Sequence, residues 1–222
     1  MNKRLLLFII ISFLLIPFIS ATTHMKLLAV SEQNDTYIGG VADLYLDIKP
    51  GNGRIYIDTF PITKVDTQLS IRFAKEISCD YLEIDCSNFD FFYTIRAKSS
   101  IVGGPSAGAA ITMLTIVNLK NINYDESVSI SGTINSGGVI GPVGGLKAKI
   151  EAAAKNNIKT VLIPFGEKDY KENNVTIDLI ELGKNLSIDV IEVPTINEAV
   201  AIFSKYQIFR LNQITIYFLC NH

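Results

Sequence analysis

The chain has 222 residues, 48% of them hydrophobic and 19% charged, enough to bury one good-sized core and with nothing of low-complexity disorder. Its formal net charge is −2 and no Lys/Arg cluster stands out, so it lacks the electrostatic footprint of a nucleic-acid binder. Only two histidines, His24 and His222, and no C-x-x-C pair argue against a zinc site, and no cofactor motif stands in their place.

Lys3 and Arg4 precede an apolar run from Leu5 to Ile19 and then the small residues Ser20 to Thr23. Residues 1–21 therefore read as a cleaved export signal or an uncleaved membrane anchor, and both readings stay open because no clean A-x-A site follows. The basic residues favour an inside amino terminus, which places the remaining chain outside the cytoplasm, membrane-anchored or secreted. The sequons at Asn34, Asn174 and Asn185 suit such an external surface. Cys79 and Cys86 are seven positions apart; they form either a bridge in an oxidising compartment or two free thiols, and Cys220 is left odd.

Leu44, Leu46 and Ile48 alternate, a turn follows at Pro50 to Gly53, and Ile55 and Ile57 alternate again, which predicts a β-hairpin. Asp66 is the expected N-cap of a helix whose buried stripe is Leu69, Phe73 and Ile77. "FDFFYTIRA" predicts a strand feeding the turn "GGPSAG", and Ala109, Ala110, Met113, Leu114 and Val117 follow at helical spacing. A β segment with a glycine-rich turn ("SVSISGTINSGGVIGPVGG"), a helix ("LKAKIEAAAKNN") and a buried strand ("TVLIP") come next. Thr195 and Glu198 predict a capping box opening a last helix. The elements predict a single α+β domain over residues 26–205, with 206–222 an unassigned tail.

Ser106 is either the N-cap of the helix after the turn or a nucleophile. The second reading gives each neighbour a purpose. Gly104 lets backbone approach a substrate, Pro105 stiffens the turn, Ala107 leaves room above the hydroxyl, and the first-turn N–H groups face a developing oxyanion. The hydroxyl needs a base, and neither His24, beside the export segment, nor His222, the last residue, suits a triad. A lysine serves if burial brings its pKa from about 10.4 to near 7, at a cost of about 4–5 kcal/mol. Lys147 and Lys149 flank the apolar face of their helix on opposite sides, so periodicity does not choose between them.

"GGPSAG", the Ser-Gly pair of "ISGTI" and "GVIGPVGGLKAKIEAAAKNNIKTVLIP" resemble the proteolytic domain of Lon proteases in one ungapped register from Ser106 to Lys149. The resemblance implies a serine endopeptidase with Ser106 as nucleophile and Lys149 as general base. Ser131 stands where the family has a threonine that hydrogen-bonds the lysine. It also implies unfolded protein or peptide substrates and a ring-shaped homo-oligomer. Two departures stand out. Gly103 occupies a position that is often acidic in the family, and no G-x-x-x-x-G-K-[ST] occurs in the chain, so an ATP-independent, stand-alone peptidase is expected. Two other readings accompany it: a catalytically inactive Lon-like binding domain, and a small-molecule kinase of the GHMP type, whose Gly-Ser-rich turn holds phosphate. An exported kinase would lack ATP, and the lysine motif would have no purpose in it.

Overall fold

The structure, a computed structural model, describes residues 22–33, 36–98, 103–172 and 175–204. The Leu5–Ile19 run, Asn34, Asn174, Cys220 and the 206–222 tail lie outside the described residues. Among the described residues, no helix is long and apolar enough to cross a membrane. Helices and strands contribute in similar measure, as an α+β chain requires.

Strands β1 (Thr23–Gln33), β2 (Thr36–Pro50), β3 (Ile55–Phe60) and β4 (Phe89–Ala97) form one sheet in the order β1-β2-β4-β3. The expected hairpin of β2 with β3 does not form. β4 inserts between them, so that Phe91 faces Ile48 on one side and Ile55 on the other. The Pro50–Gly53 turn closes on β4 instead of on itself. Gly51 N–H donates to Asn88 O, and the Asp90 carboxylate accepts from Asn52 and Arg54 N–H, donors that hold its pKa below the usual carboxylate range. The central place also buries the most apolar strand, with Phe91, Tyr93 and Ile95 all inside.

Helix α1 (Val65–Leu82) runs from β3 toward β4, and α2 (Gly108–Lys120) follows β4. Every residue of α2 from Gly108 to Val117 is buried, the mark of a central core helix. Burying Ile111, Met113, Leu114 and Ile116 contributes about 1.5–3 kcal/mol each. α1 presents a different face from the one expected. Leu69 and Phe73 are 52% and 54% exposed, while Thr67, Ser70, Ile71, Ala74 and Ser78 join Ile77 inside. Small side chains let α1 lie close on α2, and Ser78 Oγ sits 2.6 Å from Ala74 O and 3.1 Å from Thr112 O of α2. Nor is Asp66 the cap; Lys64 holds that position and Asp66 accepts from Thr67 N–H within the first turn. The last turn of α1 is joined to a 3₁₀ turn, Cys86–Asn88, by a Cys79–Cys86 disulfide.

Beyond α2 come β5 (Val128–Ile130), a small antiparallel pair β6 (Thr133–Ile134) and β7 (Ile140–Gly141), and α3 (Leu146–Lys155). β8 (Thr160–Pro164) is the middle of a parallel sheet ordered β11-β8-β5, with β11 at Asp189–Val193. Between β8 and β11 lie the hairpin of β9 (Asp169–Glu172) and β10 (Val175–Asp178) and the short helix α4 (Leu179–Asn185). The last helix is α5 (Ile196–Phe203). Thr195 is its N-cap residue, but its hydroxyl bonds the Glu198 carboxylate and caps no backbone N–H, so the expected box is not closed.

Two cores result, one on each face of the first sheet. Leu27 and Ala42 face the core built around α2, whereas Leu28 and Val41 face a second built around Leu146, Ile150 and Val161.

Candidate active site

After Gly103 the chain turns at Gly104 (φ 106°, ψ 148°), a conformation that only glycine adopts at little cost. Pro105–Ala107 then form a single 3₁₀ turn, and α2 starts at Gly108. Ser106 therefore sits within the turn and is not the cap: the N-cap residue of α2 is Ala107, which makes no side-chain cap bond. The serine is half-buried, and its Oγ lies 3.9 Å from where a Cβ on Gly104 would stand.

The segment after β5 is laced to this turn. Gly132 N–H donates to Ser106 O and Ala109 N–H donates to Gly132 O, both at 3.0 Å, while Ser131 N–H is anchored on Leu162 O of β8. On the other side, Thr67 Oγ1 of α1 donates to Gly104 O at 3.4 Å.

α3 brings the lysine. Gly145, left-handed at φ 67°, is its N-cap residue, and Lys149 N–H closes the first turn on Gly145 O. Lys149 is 1% exposed, and its Nζ donates to Ser131 Oγ at 3.1 Å. Burial pulls the amine down from its ordinary value to about 8, a unit above the value expected from the sequence. At that value roughly a tenth of the amine is neutral at pH 7. Lys147, two residues away, points outward with its Nζ 3.6 Å from Glu172 of β9. The ambiguity of the helical wheel is resolved by packing: Lys149 is inside and Lys147 is at the surface.

One hydrogen-bonded frame thus brings together Ser106, Ser131 and Lys149, through Gly132, with Gly104, Pro105 and Ala107 shaping the turn. Two partners of this frame escaped sequence reasoning. The Tyr170 hydroxyl accepts from Gly145 N–H at 2.9 Å, and Glu172 holds Lys147, so β9 steadies the start of α3. A four-residue strand offers no periodicity or motif that would have pointed to them. His24 is engaged elsewhere, its ring nitrogens 2.9 Å from the carboxylates of Asp43 and Glu126. Among the described residues, no group of His, Cys, Asp and Glu is arranged to hold a metal ion.

A comparison with protein families matches residues 94–202 to the Lon protease (S16) C-terminal proteolytic domain. The chain is 34% identical over 120 residues to the Lon protease of Paraburkholderia phytofirmans, covering 52% of this chain and 15% of that protein. It is 36% identical over 118 residues to the archaeal Lon protease of Archaeoglobus fulgidus, covering 53% and 18%. With the Lon protease of Fervidobacterium nodosum it shares 27% identity over 167 residues, 73% of this chain and 20% of that protein. The aligned part of the chain thus spans no more than a fifth of each of these relatives.

Proposed function

Since the chain belongs, through residues 94–202, to the family of Lon proteolytic domains, we propose that it is a serine endopeptidase that cleaves unfolded proteins and peptides with a Ser106–Lys149 dyad. The observation that carries this reading is a buried lysine, lowered toward neutrality, bonded to Ser131 in the frame that also holds Ser106.

In the proposed reaction, neutral Lys149 takes the proton of the Ser106 hydroxyl as Oγ attacks the peptide carbonyl carbon. The carbonyl electron pair moves to oxygen. Gly108 N–H already bonds Pro105 O and Ala109 N–H bonds Gly132 O, which leaves the N–H groups of Ser106 and Ala107 to hold that oxyanion. Lys149 then gives its proton to the leaving amine, the C–N bond breaks and an ester remains on Ser106. A water molecule, deprotonated by Lys149, hydrolyses the ester, and the proton returns to Ser106 Oγ. Ser131 orients the amine throughout.

Three further parts of the reading follow. Cleavage of unfolded chains proceeds without ATP, as the lack of a phosphate-binding G-x-x-x-x-G-K-[ST] within these 222 residues supports. The domain works outside the cytoplasm, anchored or secreted, which the Lys3–Arg4 and Leu5–Ile19 pattern and the Cys79–Cys86 disulfide support. It assembles into a homo-oligomeric ring, with the exposed apolar stripe of α1 as an available contact face.

The test is degradation of an unfolded reporter protein by the purified chain, with and without ATP and magnesium. Equal rates are expected, with none for Ser106→Ala. A Ser106→Ala chain as active as the native one would refute the dyad, and a strict ATP requirement would refute the energy-independent reading.

A further inference from the structure

Beside the glycine turn lies a cleft of about 370 Å³, lined among others by Val30, Ser31, Gly40, Lys98 and Gly103. Gly103 is also where Lys64 arrives from α1: a Cβ placed on Gly103 would stand 2.5 Å from Lys64 Cδ and 3.1 Å from its Cε. The lysine stem therefore crosses the space that any larger residue at 103 would fill. Two cations thus flank one glycine, which is followed directly by Gly104 and the Ser106 turn.

Both lysines are exposed, and among the described residues neither is in a salt bridge. Among the described lysines and arginines, Lys26 meets Asp43, Arg96 meets Asp58 and Lys147 meets Glu172, while the others share the unpaired state of Lys64 and Lys98; what sets these two apart is their place beside Gly103. The acid closest in sequence to Lys64, Asp66, already accepts from the Thr67 N–H. A carboxylate at position 103 would neutralise Lys64 from within the protein. Glycine leaves that charge to whatever enters the site.

We propose that Lys64 and Lys98 give the site a preference for substrates carrying an acidic side chain next to the scissile bond, an inference that rests on the peptidase function proposed above. The flexible ammonium groups supply charge without a rigid fork, so they select a carboxylate by field and not by bidentate geometry. Because both are solvated, the discrimination is modest and salt-dependent.

The experiment compares matched fluorogenic peptides that differ at one position flanking the scissile bond, carrying Glu, Gln or Lys, each position being scanned in turn. At low ionic strength the Glu peptide is expected to exceed the Gln peptide in kcat/KM by roughly fivefold at one position. The advantage shrinks in 0.5 M salt. Lys64→Ala and Lys98→Ala each move the Glu-to-Gln ratio toward one, and the double variant K64E/K98E reverses it in favour of the Lys peptide. Labelling of Ser106 by a fluorophosphonate probe is followed in parallel. A native chain that labels and cleaves but treats Glu and Gln alike overturns the specificity alone. A native chain that neither labels nor cleaves overturns the peptidase reading, and this proposal with it.

Discussion

The Lys149 amine is buried with no carboxylate partner among the described residues, a stability cost that the proposed role as base would explain. The lowering of Lys149 from its ordinary value to about 8 corresponds to about 3 kcal/mol of unfavourable burial of the charged form. The sign follows from linkage: between about pH 8 and 10.5 the unfolded chain binds the proton that the folded chain has released, so stability rises with pH across that window. Lys149→Met removes the defect and leaves Ser131 without its donor, which offsets part of the gain. We expect Lys149→Met to be more stable by about 2 kcal/mol in urea unfolding at pH 7, with the gain fading as pH rises toward 10.5. The same variant should lose peptide cleavage and probe labelling. Lys147→Ala should keep most of its activity, since its exposed pair with Glu172 is worth only about 0.5 kcal/mol. In the native chain the rate should climb about tenfold per pH unit below about 8 and level off above it. A flat pH profile, or an inactive Lys147→Ala beside an active Lys149→Met, would refute the assignment of the base.

At the scale of elements, the position of α3 depends on a residue far away in sequence. A Cβ on Gly39 of β2 would stand 1.9 Å from Ala148 O and 2.6 Å from Ala148 C, backbone atoms that cannot swing aside. Gly39→Ala should therefore push α3 outward, costing about 2–3 kcal/mol in urea unfolding and displacing Lys149 from Ser131. Gly40→Ala meets nothing within 4 Å and should stay within about 0.5 kcal/mol of the native chain. Equal stability of the two variants would show that α3 does not rest on β2 as described. This dependence also marks the boundary of what the sequence discloses. Ser106 drew attention through its glycine-proline turn, whereas Ser131 and the choice of Lys149 over Lys147 rested on the resemblance to Lon proteolytic domains, because helical spacing leaves the two lysines equivalent. Pairing between elements was less accessible. β2 and β3 look like a hairpin because a tight turn joins them, yet the hydrogen bonds of that turn go to β4. The buried face of α1 does not follow hydropathy, because Thr67, Ser70, Ala74 and Ser78 are small and partly polar, whereas the apolar Leu69 and Phe73 face outward. Close helix packing selects small residues, and hydropathy does not register that choice.

For the whole molecule, the outward apolar stripe of α1 bears on assembly. The stretch from Phe60 to Phe73 carries five exposed large apolar residues: Phe60, Ile62, Val65, Leu69 and Phe73. Together they offer roughly 600 Å² of apolar surface, close to the ~800 Å² that one partner contributes to a standard interface. If this face joins copies in the proposed ring, the double substitution L69D/F73D should reduce the native chain's oligomer to monomers in sedimentation equilibrium without unfolding it. A native chain that is already monomeric at tens of micromolar would refute the assembly. The Cys79–Cys86 bridge has a different reach. It fastens α1 at the end remote from the turn that holds Ser106; from Thr67, which bonds Gly104, to Cys79 is twelve residues, about 18 Å of helix. Breaking it would loosen the tail of α1, with the Ser78 contact to Thr112 of α2, while Thr67 still grips Gly104 at the other end. Thiol-rich surroundings would then shorten the protein's lifetime well before they dulled its chemistry, and a chain produced in a reducing cytoplasm would be fragile yet competent.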